Sequence, residues 1–207
     1  MYTPPAFTVN DMGEIHAMMR QCHLANFITA TPSGPLATPL PMFLDESEGD
    51  KGVLYAHLAR PNPQWRQETI GHGLAVFMGP DAYVTPSWYA SKAEHGKVVP
   101  TWNYTAVHAS GPVEFFEDGD RLLDAVRRLT DRHEGARPMP WGLSDAPDSF
   151  IKAQLRGIVG LRMPIVSLEG KRKMSQNRPE ADRAGVKRGL AESSHASDAA
   201  VAAMIPG

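Results

Sequence analysis

Cysteine is almost missing from this chain: Cys22 is the only one among 207 residues. An intrachain disulfide is therefore impossible, and a zinc site built from cysteines is excluded. Long apolar runs are missing too; none approaches the roughly 20 residues needed to cross a bilayer. The opening MYTPPAFTVNDMGEIH lacks the basic and apolar regions of a signal peptide, so the expected location is the cytoplasm, with no membrane partner. An excess of charge is also lacking, since 21 basic and 23 acidic side chains leave a formal net charge of −2. No global field draws the protein to nucleic acid or to anionic lipid. No G-x-S-x-G elbow, Walker loop, G-x-G-x-x-G or H-E-x-x-H occurs, so hydrolase, P-loop, Rossmann and zinc-protease readings lose their usual support. The eight histidines are scattered, without metal-ligand spacing.

What is present concentrates in residues 79–111. Tyr83, Trp88, Tyr89, Trp102 and Tyr104 lie there in strand-like segments, with His95, His108, Lys92, Lys97 and Asn103 among them. Aromatic faces beside hydrogen-bonding and cationic groups suit a flat, polar, phosphate-bearing molecule. Period two places Trp102 and Tyr104 on one face of a strand and Asn103 on the other.

Along the chain, Asp11 and Glu14 have capping-box spacing, and Ile15, Met18, Met19 and Cys22 follow at helical period. Cys22 reads as a small core residue. Runs at 25–31 and 36–44 flank Pro32-Ser33-Gly34-Pro35, which predicts a hairpin with a turn longer than two residues. Pro39 and Pro41 make the second strand an edge or a bulged strand. VLYAHLA is a third strand. Asn62-Pro63 predicts a helix start running to about Ile70. Further strands are expected at 74–78, 82–89 and 101–116, with SKAEHGKVV as a loop between the last two. Helices are expected at 120–133 and 148–158, the latter with Phe150, Ile151, Leu155 and Ile158 inward. A last strand at 159–168 is interrupted by Pro164. Strands without regular crossover helices argue for an antiparallel, mainly β barrel with appended helices. One domain over 1–192 is expected, with 193–207 as a frayed tail.

Two motifs lie apart from the aromatic run. HLARPNPQW ends a strand and begins a helix, where Arg60 and a helix N-terminus suit a phosphate. The plainer reading is an Asn cap, a surface Arg and a core Trp65. EGKRKMSQNRPEADRAGVKR is the most basic stretch, with Lys173, Ser175, Gln176 and Asn177 as candidates for an anionic ligand; the plainer reading is a solvated strand end.

Taken in order, MYTPPAF, HLARPNPQW, FMGPDAYVTPSWY, VVPTWNYTAVHASG, IVGLRM and GKRKMSQNR resemble the PaiB family of FMN-binding negative transcriptional regulators. The resemblance runs from about residue 1 to residue 190. It implies an FMN-binding split β-barrel, a homodimer with FMN at the subunit interface, and a role in repressing genes. Carried over motif by motif, it places Arg60 and Asn62 near the FMN phosphate, with Trp65 in the same motif. His57 and Leu58 run beside the ribityl chain or ring, Trp102 and Asn103 approach the flavin, and Lys173, Ser175 and Gln176 close the site. No catalytic residue and no metal ligand is implied. Three alternatives stay open: a flavin-dependent oxidoreductase, a haem-binding or haem-degrading protein with His57 or His108 as ligand, and a bare interaction module with no cofactor. Direct DNA contact draws little support from a nearly neutral chain.

Overall fold

A computed structural model describes all residues, 1–207. The chain divides into two compact units. The first holds Met1–Gln21, Met78–Val107 and Glu169–Gly207, and the second holds Cys22–Phe77 and His108–Leu168.

In the first unit, β1 (Thr8–Val9) pairs antiparallel with β10 (Ser167–Lys173), and the order continues through β7 (Thr101–Gly111) to β6 (Gly73–Val84). Both β6 and β7 contribute residues to each unit. Helix α1 (Met12–Gln21) starts as the capping spacing predicts: Asp11 Oδ1 accepts from Glu14 N–H at 2.7 Å. It buries Ile15, Met18 and Met19. Gly170 on β10 allows α1 to approach closely, because a Cβ there would lie 2.8 Å from Ile15 Cγ1. The expected loop after Tyr89 instead contains α2 (Ser91–His95). The buried Asp182 carboxylate accepts from Ser91 N–H at 2.9 Å and from its hydroxyl at 2.7 Å, which caps the start of a helix too short to persist alone. Asp182 belongs to α5 (Glu180–Ala191).

The tail expected to fray forms α6 (Ala196–Met204). Val201, Ala202 and Ile205 pack with Val186, Leu190, Met174, Tyr89 and Val84. Burying side chains of the Val and Ile type is worth roughly 1.5–3 kcal/mol each, which contributes toward the cost of ordering a short alanine-rich helix.

The second unit holds a sheet ordered β4 (Phe43–Asp45), β5 (Val53–Ala59), β9 (Ile158–Pro164), β8 (Glu114–Phe116), and the pairings of β2 (Ala25–Thr31) with β3 (Gly34–Leu40) and with β6. All the pairings are antiparallel. Strand β3 is an edge strand, as its prolines require. The hairpin turn is shorter than expected. Thr31 pairs with Gly34, leaving only Pro32 and Ser33 between the strands, because Gly34 takes φ +116° and joins β3. Helix α3 (Gly119–Glu134) is capped by Asp118 Oδ1, which accepts from Arg121 N–H at 2.9 Å. It packs Leu122, Ala125 and Leu129 on Phe43 and Phe116. Helix α4 (Asp148–Leu155) buries no residue fully, and Phe150, expected to face inward, is 53% exposed. The final strand expected at 159–168 is two strands: β9 stops at Pro164, and β10 begins at Ser167.

Candidate functional site

The sequence-predicted residues fall into two sets, one in each unit. In the first unit, the end of β10 is tied to the start of β7 by side chains. Lys173 Nζ donates to Trp102 O at 2.6 Å and to Thr101 Oγ1. Ser175 Oγ and the Asn103 side-chain amide bond each other, at 3.0 Å from Nδ2 and 3.1 Å to Oδ1. Gln176 Oε1 accepts from Met174 N–H at 2.6 Å, and its Nε2 donates to Arg172 O. Ser175 is the one residue other than glycine with positive φ, at 59°. That conformation costs of order 1–3 kcal/mol and persists only where the surroundings fix it.

These five residues, Trp102, Asn103, Lys173, Ser175 and Gln176, are therefore brought together where β10 ends beside the start of β7. Their roles divide by exposure. Asn103 is fully buried and Ser175 is nearly so, whereas Trp102 is 53% exposed. The Asn103 amide, read from sequence as a group for a flavin edge, is spent on Ser175. The half-exposed Trp102 indole and the half-exposed Tyr83 ring meet in a T-shaped contact, 5.8 Å between centroids. Lys171 Nζ lies 5.0 Å from the Tyr104 ring centroid, and the Arg178 guanidinium lies 4.8 Å from that of Tyr89. Burial first, then the neighbouring charges of Lys171 and Arg178, pushes the Lys173 ammonium below its usual pKa. The result is an aromatic surface beside a positive field. Tyr83 belongs to the aromatic run of residues 79–111, and Lys171 and Arg178 to the basic stretch, but none of the three was among the residues expected to hold the flavin. The pairing of β6 and β10 with β7 is what sets Tyr83 and Lys171 beside the VPTWNY segment.

The second set behaves differently. The expected helix over 62–70 is a four-residue 3-10 turn, Pro63–Arg66. Asn62 caps it as predicted, with Oδ1 accepting from Gln64 N–H at 2.9 Å, and its Nδ2 donates to Thr38 Oγ1 at 3.0 Å. Gln64, overlooked in the sequence, is buried and donates to Thr29 Oγ1 at 3.0 Å while accepting from Thr38 Oγ1 at 2.6 Å. Trp65 Nε1 donates to Arg60 O at 3.0 Å, and Arg66 lies over its ring at 4.7 Å. Every guanidinium nitrogen of Arg60 has a protein acceptor. Nε donates to Arg156 O at 2.6 Å, NH2 to Ile158 O at 3.1 Å, and NH1 pairs with Glu117. The fork that a phosphate would use is thus engaged in joining the end of β5 to the turn before β9. Leu58 is 1% exposed and belongs to the core. His57, one residue earlier, points instead into a cleft of about 280 Å³ with Trp141 and Phe150. Burial pushes its imidazole pKa down. His108 is half-buried on β7.

The antiparallel, mainly β architecture with appended helices is that of the FMN-binding split β-barrel class. Solved structures of similar fold include the FAD and heme binding protein from Mycobacterium smegmatis (TM-score 0.59, 16% identity, covering 80% of this chain and 73% of that one). The flavocytochrome Anf3 from Azotobacter vinelandii is similar at TM-score 0.58 and 15% identity, over 80% of this chain and 69% of that one. Residues 1–167 match the family described as "Putative FMN-binding domain". The chain is 32% identical over 183 residues to the protease synthase and sporulation protein PAI 2 of Bacillus subtilis (strain 168), covering 88% of this chain and 85% of that protein. This chain belongs to the PaiB-type family of FMN-binding proteins, and FMN is the cofactor that goes with that membership. None of its helices is long and apolar enough to cross a membrane.

Proposed function

We propose that this protein is a cytoplasmic, FMN-binding negative regulator of gene expression that works as a homodimer. The observation that carries the flavin assignment is the half-exposed Trp102, held from behind by the Lys173 and Ser175 links. An isoalloxazine needs a flat apolar face that does not collapse when the ligand leaves, and this one is anchored through its own backbone carbonyl. The residues present fit the group. Trp102 and Tyr83 offer the stacking surface, and the positive field of Lys171, Lys173 and Arg178 suits the phosphate. Asn103, Ser175 and Gln176 hold the segment in place. A second copy of the chain closes over the exposed aromatics. When bound, FMN supplies any redox chemistry, and the protein binds and orients it.

The regulatory part rests on likeness. The Bacillus relative carries the name protease synthase and sporulation protein PAI 2. The near-neutral charge favours action through a partner or a product over direct DNA contact. The test is the absorbance spectrum of purified protein with added FMN after gel filtration, alongside Trp102→Ala. A retained flavin band that is weakened by roughly 1–3 kcal/mol of affinity in the variant is expected, on the scale of aromatic stacking against a base. Protein that passes through colourless, or a variant with unchanged affinity, refutes the assignment. Transcript profiles of a deletion strain, complemented by wild type or by Trp102→Ala, test the regulatory half.

A further inference from the structure

The cleft beside α4 belongs to neither candidate set as a whole. It encloses about 280 Å³ and is lined chiefly by Trp141, Phe150, Leu143, Ile158 and Val126, with His57 and Gln154 as the polar groups. No carboxylate, ammonium or guanidinium lines it. Trp141 is 45% exposed and Phe150 53%, so two aromatic walls stand open without a partner. The His57 imidazole makes no hydrogen bond within the protein, although the strand that carries it is fully paired to β9, His57 opposite Gly160. Apolar walls with one or two convergent polar groups are the usual make-up of a small-molecule pocket.

We infer that this cleft is a binding site for an uncharged aromatic molecule of one or two fused rings bearing a single oxygen, which bonds to His57. Three features choose that class. The volume is near the lower end for ligand pockets and well above the roughly 150 Å³ that encloses benzene, so it suits a small ring system. The chargeless lining would leave an ionised ligand unpaired, at a cost of several kcal/mol. A neutral imidazole offers one donor and one acceptor nitrogen, so it can meet either a hydroxyl or a carbonyl. Burial among these apolar walls pushes the imidazole pKa down, in keeping with an uncharged lining.

The probes are 2-naphthol, naphthalene and naphthalene-2-sulfonate, added to the full-length protein and read by quenching of Trp141 fluorescence. The Trp141 signal is isolated by difference from Trp141→Phe. Saturable quenching by 2-naphthol is expected, with the sulfonate at least tenfold weaker because its charge finds no partner. His57→Phe keeps the ring volume and should weaken 2-naphthol by about fivefold to tenfold while leaving naphthalene within twofold, the scale of one hydrogen bond. Val126→Trp fills the cleft and should abolish binding of both. If that variant fails to fold by circular dichroism, Gln154→Trp at the exposed mouth replaces it. No saturable quenching, equal affinity for the sulfonate, an unaltered His57→Phe profile, or binding that survives the filled cleft overturns the proposal.

Discussion

Ser175 offers the sharpest test of the idea that buried residues position the Trp102 surface. Two opposed terms act on it. Its φ of 59° is strained for any side chain with a Cβ, and glycine would relieve that strain, by about 1 kcal/mol. Its hydroxyl also satisfies the fully buried Asn103 amide, and removing it leaves that amide orphaned, at about 1–3 kcal/mol. Ser175→Ala keeps the strain and loses the hydrogen bonds, so it should destabilise by about 1–3 kcal/mol. Ser175→Gly loses the same bonds but relaxes the backbone, so it should fall about 1 kcal/mol short of the alanine variant. Urea unfolding of the three proteins gives the order directly, wild type above Ser175→Gly above Ser175→Ala. Equal midpoints for glycine and alanine would refute the strain argument. A wild-type midpoint in both would refute the claim that the Asn103–Ser175 pair matters. FMN affinity in Ser175→Gly should drop although no ligand-facing group has changed, because the segment that holds Trp102 has lost its tie.

Arg60→Ala should leave FMN affinity within twofold, since its guanidinium is engaged by Arg156 O, Ile158 O and Glu117. Its cost should appear as about 1–3 kcal/mol of stability in denaturant; a tenfold loss of FMN affinity would return the phosphate to Arg60. Truncation after residue 193 removes α6 and the buried Val201 and Ile205, a loss of about 3–6 kcal/mol at the side-chain scale of burial, visible as a lowered melting temperature. An unchanged melting temperature would mean that α6 is not cooperative with its unit. Burial opposes ionisation of Asp182, but the two hydrogen bonds from Ser91 and the nearby Arg178 more than offset it, so its carboxyl sits below the ordinary value. The folded-state pKa is therefore depressed. Its stabilisation is present above the unfolded value of about 4 and is lost as pH falls through the folded value. Asp182→Asn should flatten that acid limb in a pH series of melting temperatures, and an identical limb would show that Asp182 contributes nothing to it.

Local chemistry made much of the fold legible. Asp11 announced α1, Asn62 announced a cap, and the prolines of β3 announced an edge. The misreadings have a common cause, which is that tertiary partners decide what short segments become. SKAEH is too short to be a helix on its own, and Asp182, 91 residues away from Ser91, makes it one. The alanine-rich tail has no strong period, and α6 exists because Val186 and Leu190 wait for it on α5. In the other direction, Asn62-Pro63 promised a long helix, but the chain leaves after one turn with Gln64 drawn inward to Thr29 and Thr38. Leu155 and Ile158 do pack on the cluster around Phe43 and Leu122, but Phe150, with the same spacing, is left facing out.

The same distinction explains the candidate site. Period two in VPTWNY placed Trp102 and Asn103 on opposite faces, and that alternation separates the residue that can touch a ligand from the residue that holds it. Sequence alone could not say which was which, because both an exposed amide with a buried indole and the reverse are common. Gly79 helps to decide the matter: a Cβ there would lie 2.1 Å from Thr105 Oγ1, so β6 and β7 are closely packed on the face that Asn103 and Thr105 share. An amide on that face can be satisfied only from within, and Ser175 is the group that reaches it. The strained serine is thus a consequence of the packing. Asn103 is fully buried, a hydroxyl delivered by the left-handed Ser175 just past the end of β10 completes the pair, and the indole is left on the exposed side.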